Sequence, residues 1–427
     1  MAAVEAVVIG AGLRGAEVYG RYALAHPDRL RIVAVAEPDP GRRDAMARAH
    51  GLADDAAFDD WRPLLSGPSR APVAIVATGD TGHVEPALRA IESGHHLLLE
   101  KPMAPDPRDC IRVVEAAERA GRILQIGHVL RYTPFYRKVH ELVSTGALGR
   151  LLHLDLKEHV AHWHMAHSYV RGKFRNREIA APLILAKSCH DLDLLVWLAG
   201  DRPARVASFG GVDEYSSERA PDGAPERCTD GCPVQATCPH DAVRFYLEVD
   251  EKIAGFFPWS DVSPDPSREA RRRALETGRY GRCVYRCDND QPDHQVLAVE
   301  FAGGASASFT VQGMATQEER TIRLTGTDAE LRGALHGGVI ELIRPGSLAA
   351  ERFEIAGSMI GHYGGDEGLL DHFTDLVARR ADGEVLASGR TALEGHLLGF
   401  AAEEARLDGE VVELAEWREG LMGEGDA

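Results

Sequence analysis

Three groups of residues in this sequence have types and spacings suited to chemistry. The first is Gly10-Ala11-Gly12-Leu13-Arg14-Gly15, which directly follows the apolar run VEAVVI. In that setting a glycine motif binds the pyrophosphate of a dinucleotide. Gly10 makes the tight turn, Gly12 lets the backbone approach the phosphates, and Gly15 allows close packing of helix on strand. The N-terminus of the helix that follows attracts the same anion. Glu37 closes the next strand-like run, about 20 residues further on, where a carboxylate accepts hydrogen bonds from both ribose hydroxyls and repels a phosphate. NAD is therefore expected over NADP, with Arg42 and Arg43 as the residues that would serve a phosphate.

The second group centres on His190. The stretch SCHDLDLLVWLAG carries apolar residues at helical spacing and stops at Gly200, so it reads as a helix with the imidazole near its N-terminus. The helix dipole there favours the neutral ring, the state a general base needs. Asp193 shares a helical face with His190 and serves to orient or pack. The third group is Cys228-x3-Cys232-x5-Cys238-Pro239 followed by Cys283-x3-Cys287, five of the seven cysteines. In a reducing compartment such a cluster points to a metal sooner than to a disulfide framework. Thiolates around a structural zinc would cross-link a segment that has no hydrophobic core of its own. An iron–sulfur cluster, a disulfide or free thiols are the other readings. Cys110 and Cys189, on apolar helical surfaces, read as small core residues.

The elements that must position these groups alternate along the first part of the chain. VEAVVI is a strand, residues 16 to about 25 a helix, RIVAVAEPD a strand, GRRDAMARAH a helix, and APVAIVATG a strand ending in a turn. VEPALRAIESG, HHLLLEKP, DPRDCIRVVEAAERAG and RILQIGH continue the pattern as helix, strand, helix, strand. This is the signature of a doubly wound parallel sheet, an N-terminal dinucleotide-binding Rossmann domain over residues 1–130. Beyond Tyr132, LGRLLHLDLKEHV, DHQVLAVEFAGGASASFTVQG, RTIRLTGTDAELRG and GVIELIRPG read as longer strands with hairpin turns. They predict a second α/β domain over 131–427, built on a large, open, mostly antiparallel sheet. Residues 211–293, rich in Pro, Gly, Asp and Cys, read as an insertion in it. DEGLLDHFTDLVARR and RTALEGHLLGFAAEEARL are amphipathic helices expected to pack back on the core, and the last few residues form an acidic, Gly-rich tail.

Composition bounds the partners. With 427 residues, 44% of them hydrophobic, the chain can bury a sizeable core. A formal net charge of −18, spread along the sequence, argues against binding nucleic acid. No apolar run approaches the roughly 18 residues of a membrane span. The N-terminus passes straight into a strand without the features of a signal peptide, so a cytoplasmic protein is expected.

Glu100-Lys101-Pro102, at a strand end within this pattern, brings in a resemblance. With the glycine loop, VATGDTGH, RYTPFY, the CHDLD helix start and GHYGGDEG, it is similar to the glucose-fructose oxidoreductase and inositol dehydrogenase family (Gfo/Idh/MocA) over nearly the whole chain. The resemblance implies that Lys101 lies beside the nicotinamide and the substrate hydroxyl, aimed by a cis peptide at Pro102. It also implies that His190 is a catalytic base or relay, and that the sheet of the second domain supports a homodimer or homotetramer. Chemistry makes the same demand, because hydride leaves a carbon only as its hydroxyl loses a proton to a nearby acceptor. Burial beside a cationic nicotinamide lowers a lysine pKa toward neutrality. One departure stands out. Relatives carry an aspartate four residues before this histidine, where this chain has Ala186 followed by Lys187, so Lys187 is expected to position substrate or handle a proton in its place.

The expected cofactor contacts are then Gly10, Gly12, Leu13, Arg14, Gly15, Glu37, Thr78, Gly79, His83, Glu100, Lys101 and His128. Expected catalytic residues are Lys101, His190 and Lys187. EHVAHWHMAHSYVRGKFR gathers His159, His162, His164 and His167, but their spacing fits no standard zinc pattern. They suit a carbohydrate pocket better. Expected substrate contacts are Arg131, His164, His167, Tyr169, Arg171, Lys187 and His190, with Lys101. The reaction expected is NAD(P)-dependent oxidation of a secondary hydroxyl of a sugar or polyol. Two other classes fit the same residues: a glycoside hydrolase that oxidises transiently and eliminates, and a non-catalytic NAD-binding sensor.

Overall fold

A computed structural model of the protein describes residues 3–347, 349–356, 362–379 and 388–423. The acidic end of the tail, Gly361 and Arg380 lie outside them. Six strands form the first sheet: β1 (Val4–Ile9), β2 (Leu30–Ala36), β3 (Ala57–Phe58), β4 (Val73–Val76), β5 (His96–Leu99) and β6 (Leu124–Ile126). Their order is β3-β2-β1-β4-β5-β6 and every pairing is parallel. The central strands β1 and β4 are rich in β-branched residues and almost wholly buried because helices cover both faces. The order reverses between β1 and β4, which puts the glycine loop at the crevice where such sheets bind ligands.

The first helix starts earlier than its periodicity indicates. It winds in wide π-type turns over Leu13–Gly20 and then as an α-helix over Arg21–Ala25. The Gly12 carbonyl already accepts the Ala16 N–H at 2.9 Å, so winding begins within the glycine loop.

Nine strands form the second sheet: β7 (Leu151–Ala161), β8 (Pro203–Gly211), β9 (His294–Phe301), β10 (Ser306–Ala315), β11 (Glu319–Gly326), β12 (Glu330–Ala334), β13 (Val339–Ile343), β14 (Glu351–Glu354) and β15 (Val412–Glu413). The order is β14-β13-β12-β11-β7-β10-β9-β8-β15, antiparallel except for the β7–β10 pair. In β9, Gln295, Leu297, Val299 and Phe301 are buried and alternate with exposed neighbours, so the sheet has one core face. The helices Cys189–Ala199 and Gly389–Asp408 pack on that face.

Two findings refine the sequence-based picture. The helix Gly365–Arg379 returns to the first sheet, where Leu369, Leu370, Phe373 and Val377 pack against Val4, Ala6, Val8 and Val73. The dinucleotide domain therefore completes its core with a segment from far along the chain. The insertion lies between the adjacent strands β8 and β9, as its composition indicates. It is not coreless, however. Helices Ala242–Leu247 and Arg268–Thr277 enclose a small cluster of Ala242, Tyr246, Leu247, Leu275 and Tyr280. Too few apolar residues are involved for their periodicity to stand out in sequence. No helix among the described residues is long and apolar enough to cross a membrane.

Candidate active site

The glycine loop is shaped by what a side chain would strike. Gly10 has φ +95°, and a Cβ there would lie 2.5 Å from the Ala77 carbonyl oxygen. At Gly15 a Cβ would meet the Gly10 carbonyl oxygen at 1.9 Å. Gly12 differs, since a Cβ there would meet nothing within 4 Å. That open cradle at a helix N-terminus is where a pyrophosphate fits. Glu37 is buried beside it, Oε2 accepting the Ala11 N–H at 2.7 Å and Oε1 the Asp39 N–H at 3.0 Å. Its carboxylate is thereby fixed at the loop rather than solvated. Arg43 is tied to the Glu37 carbonyl oxygen at 2.7 Å.

Arg14 and Glu100 meet in a buried network. Arg14 Nε donates to Glu100 Oε1, Nη1 reaches Asp366 Oδ1 at 2.8 Å, and the Tyr19 hydroxyl also donates to Glu100 Oε1. Glu100 Oε2 accepts the Lys101 N–H at 3.0 Å. Burial opposes ionisation of Glu100, but Arg14 and these hydrogen bonds hold its pKa below the usual range. Arg14 and Glu100 thereby brace the glycine loop against the turn that follows β5. His83 does likewise, with Nδ1 2.7 Å from the Pro102 carbonyl oxygen and Nε2 3.2 Å from that of Thr78. Leu13 and Gly79 are exposed and Thr78 half-buried at the rim.

The Lys101–Pro102 peptide is cis, and Lys101 Nζ donates to the Ala186 carbonyl oxygen at 2.7 Å. That bond ties the turn after β5 to the segment preceding the His190 helix. His190 is buried and its Nδ1 has no partner. Its pKa is well below the ordinary value, first through burial and then through the Lys101 charge. Burial thus favours the neutral ring. His128 is buried with neither ring nitrogen hydrogen-bonded, its Nε2 3.8 Å from Asp193 Oδ1 and its ring 5.6 Å from that of His190 between centroids. It too is held neutral by burial.

Lys187 sits in a charge network that sequence reasoning missed. Its Nζ lies 3.1 Å from Glu158 Oε1 and 3.7 Å from Glu318 Oε2. Arg320 Nε lies 2.5 Å from Glu158 Oε2 and 2.9 Å from Asp191 Oδ1. Glu318 Oε1 meets His164 Nδ1 at 2.8 Å. Carboxylates from β7, the His190 helix and the turn before β11 thus surround the lysine. Asp191 is pushed up to about 6 by burial, against the pull of Arg320. Tyr169 is buried near the carboxylates of Glu158, Asp80 and Glu318. A second missed pair is His362 and Asp366, Nδ1 to Oδ2 at 2.9 Å, with the His362 ring 6.3 Å from that of His190. Glycine-rich surroundings in GHYGGDEG were the only local signal.

Three expected substrate contacts are placed otherwise. Arg131 is buried in a two-pronged ion pair with Asp193, at 2.6 Å for both Nε and Nη2. His167 is buried and turned into the insertion, with Nδ1 2.8 Å from the Tyr246 hydroxyl and its ring stacked on Tyr280. Arg171, four residues on in the same helical segment Met165–Arg171, faces the same way and bonds the carbonyl oxygens of Arg282 and His240, each at 2.7 Å. A spacing of four shares one helical face, and here the insertion covers it. The five insertion cysteines are free thiols. Among the described residues no three metal-ligating side chains stand in a ready metal cage.

A doubly wound dinucleotide domain, an open-sheet domain, and a lysine–histidine pair where they meet define an oxidoreductase that uses a nicotinamide dinucleotide. Residues 4–128 match the family model described as an oxidoreductase family with an NAD-binding Rossmann fold, and residues 136–332 match the GFO/IDH/MocA C-terminal domain. The chain belongs to the Gfo/Idh/MocA oxidoreductase family. It is 26% identical over 314 residues to YteT of Bacillus subtilis (strain 168), named as an oxidoreductase, covering 72% of this chain and 68% of that protein. It is 32% identical over 205 residues to inositol 2-dehydrogenase 2 of Saccharopolyspora erythraea, covering 45% of this chain. This match spans about half of that dehydrogenase, 53% of its length. An oxidoreductase of Agrobacterium radiobacter, solved in complex with NAD+, L-tartaric acid and magnesium, has the same fold: TM-score 0.67, 17% identity, 97% of this chain and 99% of that one.

Proposed function

We propose that this protein is an NAD(P)-dependent dehydrogenase of a sugar or other polyol, oxidising a secondary hydroxyl, with NAD as the preferred cofactor. The observation that carries this reading is the buried His190, its Nδ1 without a hydrogen-bond partner, beside Lys101 at the seam between the dinucleotide domain and the open sheet. The bound nicotinamide supplies a hydride acceptor. The chain's own residues supply the proton chemistry. His190 accepts the hydroxyl proton, for which a neutral imidazole is required. Lys101, fixed by the Ala186 carbonyl, donates a hydrogen bond to the same substrate oxygen and stabilises the negative charge that grows there. Lys187, Asp191, His164 and Tyr169 supply donors and acceptors around the neighbouring hydroxyls, the mixture a polyol needs. Open space at Gly12 and the fixed Glu37 carboxylate fit the dinucleotide, and Glu37 favours a free ribose 2′-hydroxyl.

The test is the near-ultraviolet absorbance of reduced nicotinamide, followed with NAD and with NADP against sugars, polyols, sugar acids and glycosides. Net reduction with one polyol, lost in a Lys101→Ala variant that still binds NAD, supports the assignment. Glycoside cleavage without net reduction would transfer it to the hydrolase class. NAD binding with no turnover of any class would leave a sensor.

A further inference from the structure

The insertion between β8 and β9 gathers sulfur that the redox chemistry does not use. Cys228, Cys232, Cys238 and Cys283 line a single cavity of about 10 Å³, together with Arg171 and His240. Two chain segments far apart in sequence build it. Arg227 and Arg282 form an antiparallel bridge, with the Cys228 N–H on the Gly281 carbonyl oxygen and the Cys283 N–H on that of Glu226, each at 2.9 Å. Cys228 and Cys283 are thereby held on neighbouring strands of chain. The backbone N–H two residues after a cysteine lies against its sulfur twice, His240 at Cys238 and Tyr285 at Cys283. Amides placed so support thiolates in metal sites.

Two buried polar groups around the cavity are otherwise unexplained. Arg171 is 2% exposed, and its bonds are to two carbonyl oxygens and, at 3.8 Å, to Cys228 Sγ. Among the described residues it forms no ion pair with a carboxylate. A buried guanidinium without a counter-charge is costly. His240 is 3% exposed and neither ring nitrogen has a partner.

We propose that Cys228, Cys232, Cys238 and Cys283 bind one zinc ion as thiolates, making a structural staple for the insertion with Arg171 as its buried counter-ion. Four thiols lose their protons to solvent, four sulfur–zinc bonds form, and no electron moves. The resulting dianionic centre gives Arg171 the negative charge it lacks. The thiols do not yet stand as a ready cage, and zinc binding turns their side chains onto a shared ion at about 2.3 Å. Cys287 stays outside the set, its thiol donating to the Cys283 carbonyl oxygen at 3.3 Å. The staple reaches the substrate side through Arg171 and through Tyr246, which holds His167 in the same segment as His164.

The experiment is elemental analysis of the full chain, purified under reducing conditions without chelator. Titration with an organomercurial then follows, with a metallochromic dye reading released zinc. The expected result is one zinc per chain, released in proportion to four thiols modified. A cobalt-substituted sample should show the sulfur-to-metal charge-transfer bands of a tetrahedral tetrathiolate. Cys287→Ser should keep the zinc and Cys232→Ser should lose or weaken it. The titration of unmutated protein decides the matter if that variant fails to fold. Metal-free protein with native-state alkylation of the four thiols, iron with acid-labile sulfide, or a disulfide among them by mass spectrometry would each overturn the proposal.

Discussion

Arg14, in the glycine loop, bonds Asp366 from near the far end of the chain at 2.8 Å while its Nε holds Glu100 beside Lys101. One guanidinium thus clamps the glycine loop, the turn that presents the proposed catalytic lysine, and the helix that closes the first sheet. Replacing Asp366 by Asn should cost about 1.5–3 kcal/mol, the range for a hydrogen bond to a charged group. NAD affinity should fall with it. Chemical denaturation and a fluorescence titration with NAD check both, and unchanged values in both would show that the clamp is idle.

His190→Ala should lower kcat about 10²- to 10⁴-fold, the usual contribution of a positioned acid–base group. NAD affinity should change little, because the ring faces the seam and not the glycine loop. Steady-state kinetics beside a direct NAD titration separates the two quantities. A large rise in the NAD dissociation constant with kcat intact would assign the ring to binding.

Asp191 carries a pKa pushed up to about 6 by burial, opposed by Arg320. If its charged form supports substrate positioning beside His190, kcat/KM should decline as pH falls through about 6. Asp191→Asn should flatten that limb. The sign for folding is opposite to the usual carboxylate case. The native state holds this proton where the unfolded chain has already lost it, so this group favours the fold at low pH and disfavours it as pH rises from about 4 to about 6. Kinetics and melting curves across that window test both.

Buried neutral histidines set the acid limit. His190 and His128 are held well below the ordinary pKa, and His396 lowered to about 3, each first by burial. Their folded values are depressed, so the unfolded chain takes up protons that the native state refuses. Stability is complete above about pH 6.5 and falls below it, by about 1.4 kcal/mol per pH unit for each such ring. Three rings outweigh Asp191. The thermal midpoint should therefore drop steadily from pH 7 to 5, and a flat profile would show that these rings are protonated in the fold.

Glu37 is fixed by the Ala11 and Asp39 N–H groups. Glu37→Ala should reduce the NAD-over-NADP preference at least tenfold, about 1.4 kcal/mol. The ratio of kcat/KM values for the two cofactors reads it directly.

Much of the fold was legible because the central parallel strands are buried on both faces and therefore read as near-continuous apolar runs, while glycine is compulsory at Gly10 and Gly15 for steric reasons. Local chemistry of that kind writes itself into consecutive residues. The cysteine-rich segment runs between the end of β8 at Gly211 and the start of β9 at His294. Its small core was not legible, since five buried residues scattered over two short helices and the turn after them leave no period.

The sequence by itself determined the tight glycine loop after the first strand, the acidic residue at the end of the second strand, the EKP turn and a histidine opening a helix, because each depends on neighbours within a turn or two. Only the tertiary structure decided which charges meet. Asp366 joins Arg14, Glu158 and Glu318 flank Lys187, and Arg131 turns to Asp193 rather than toward substrate. Long side chains such as Arg131, His167 and Arg171 can reach either a pocket or a buried partner. The cost of burying an unpaired charge selects the partner, and that choice depends on residues tens to hundreds of positions away.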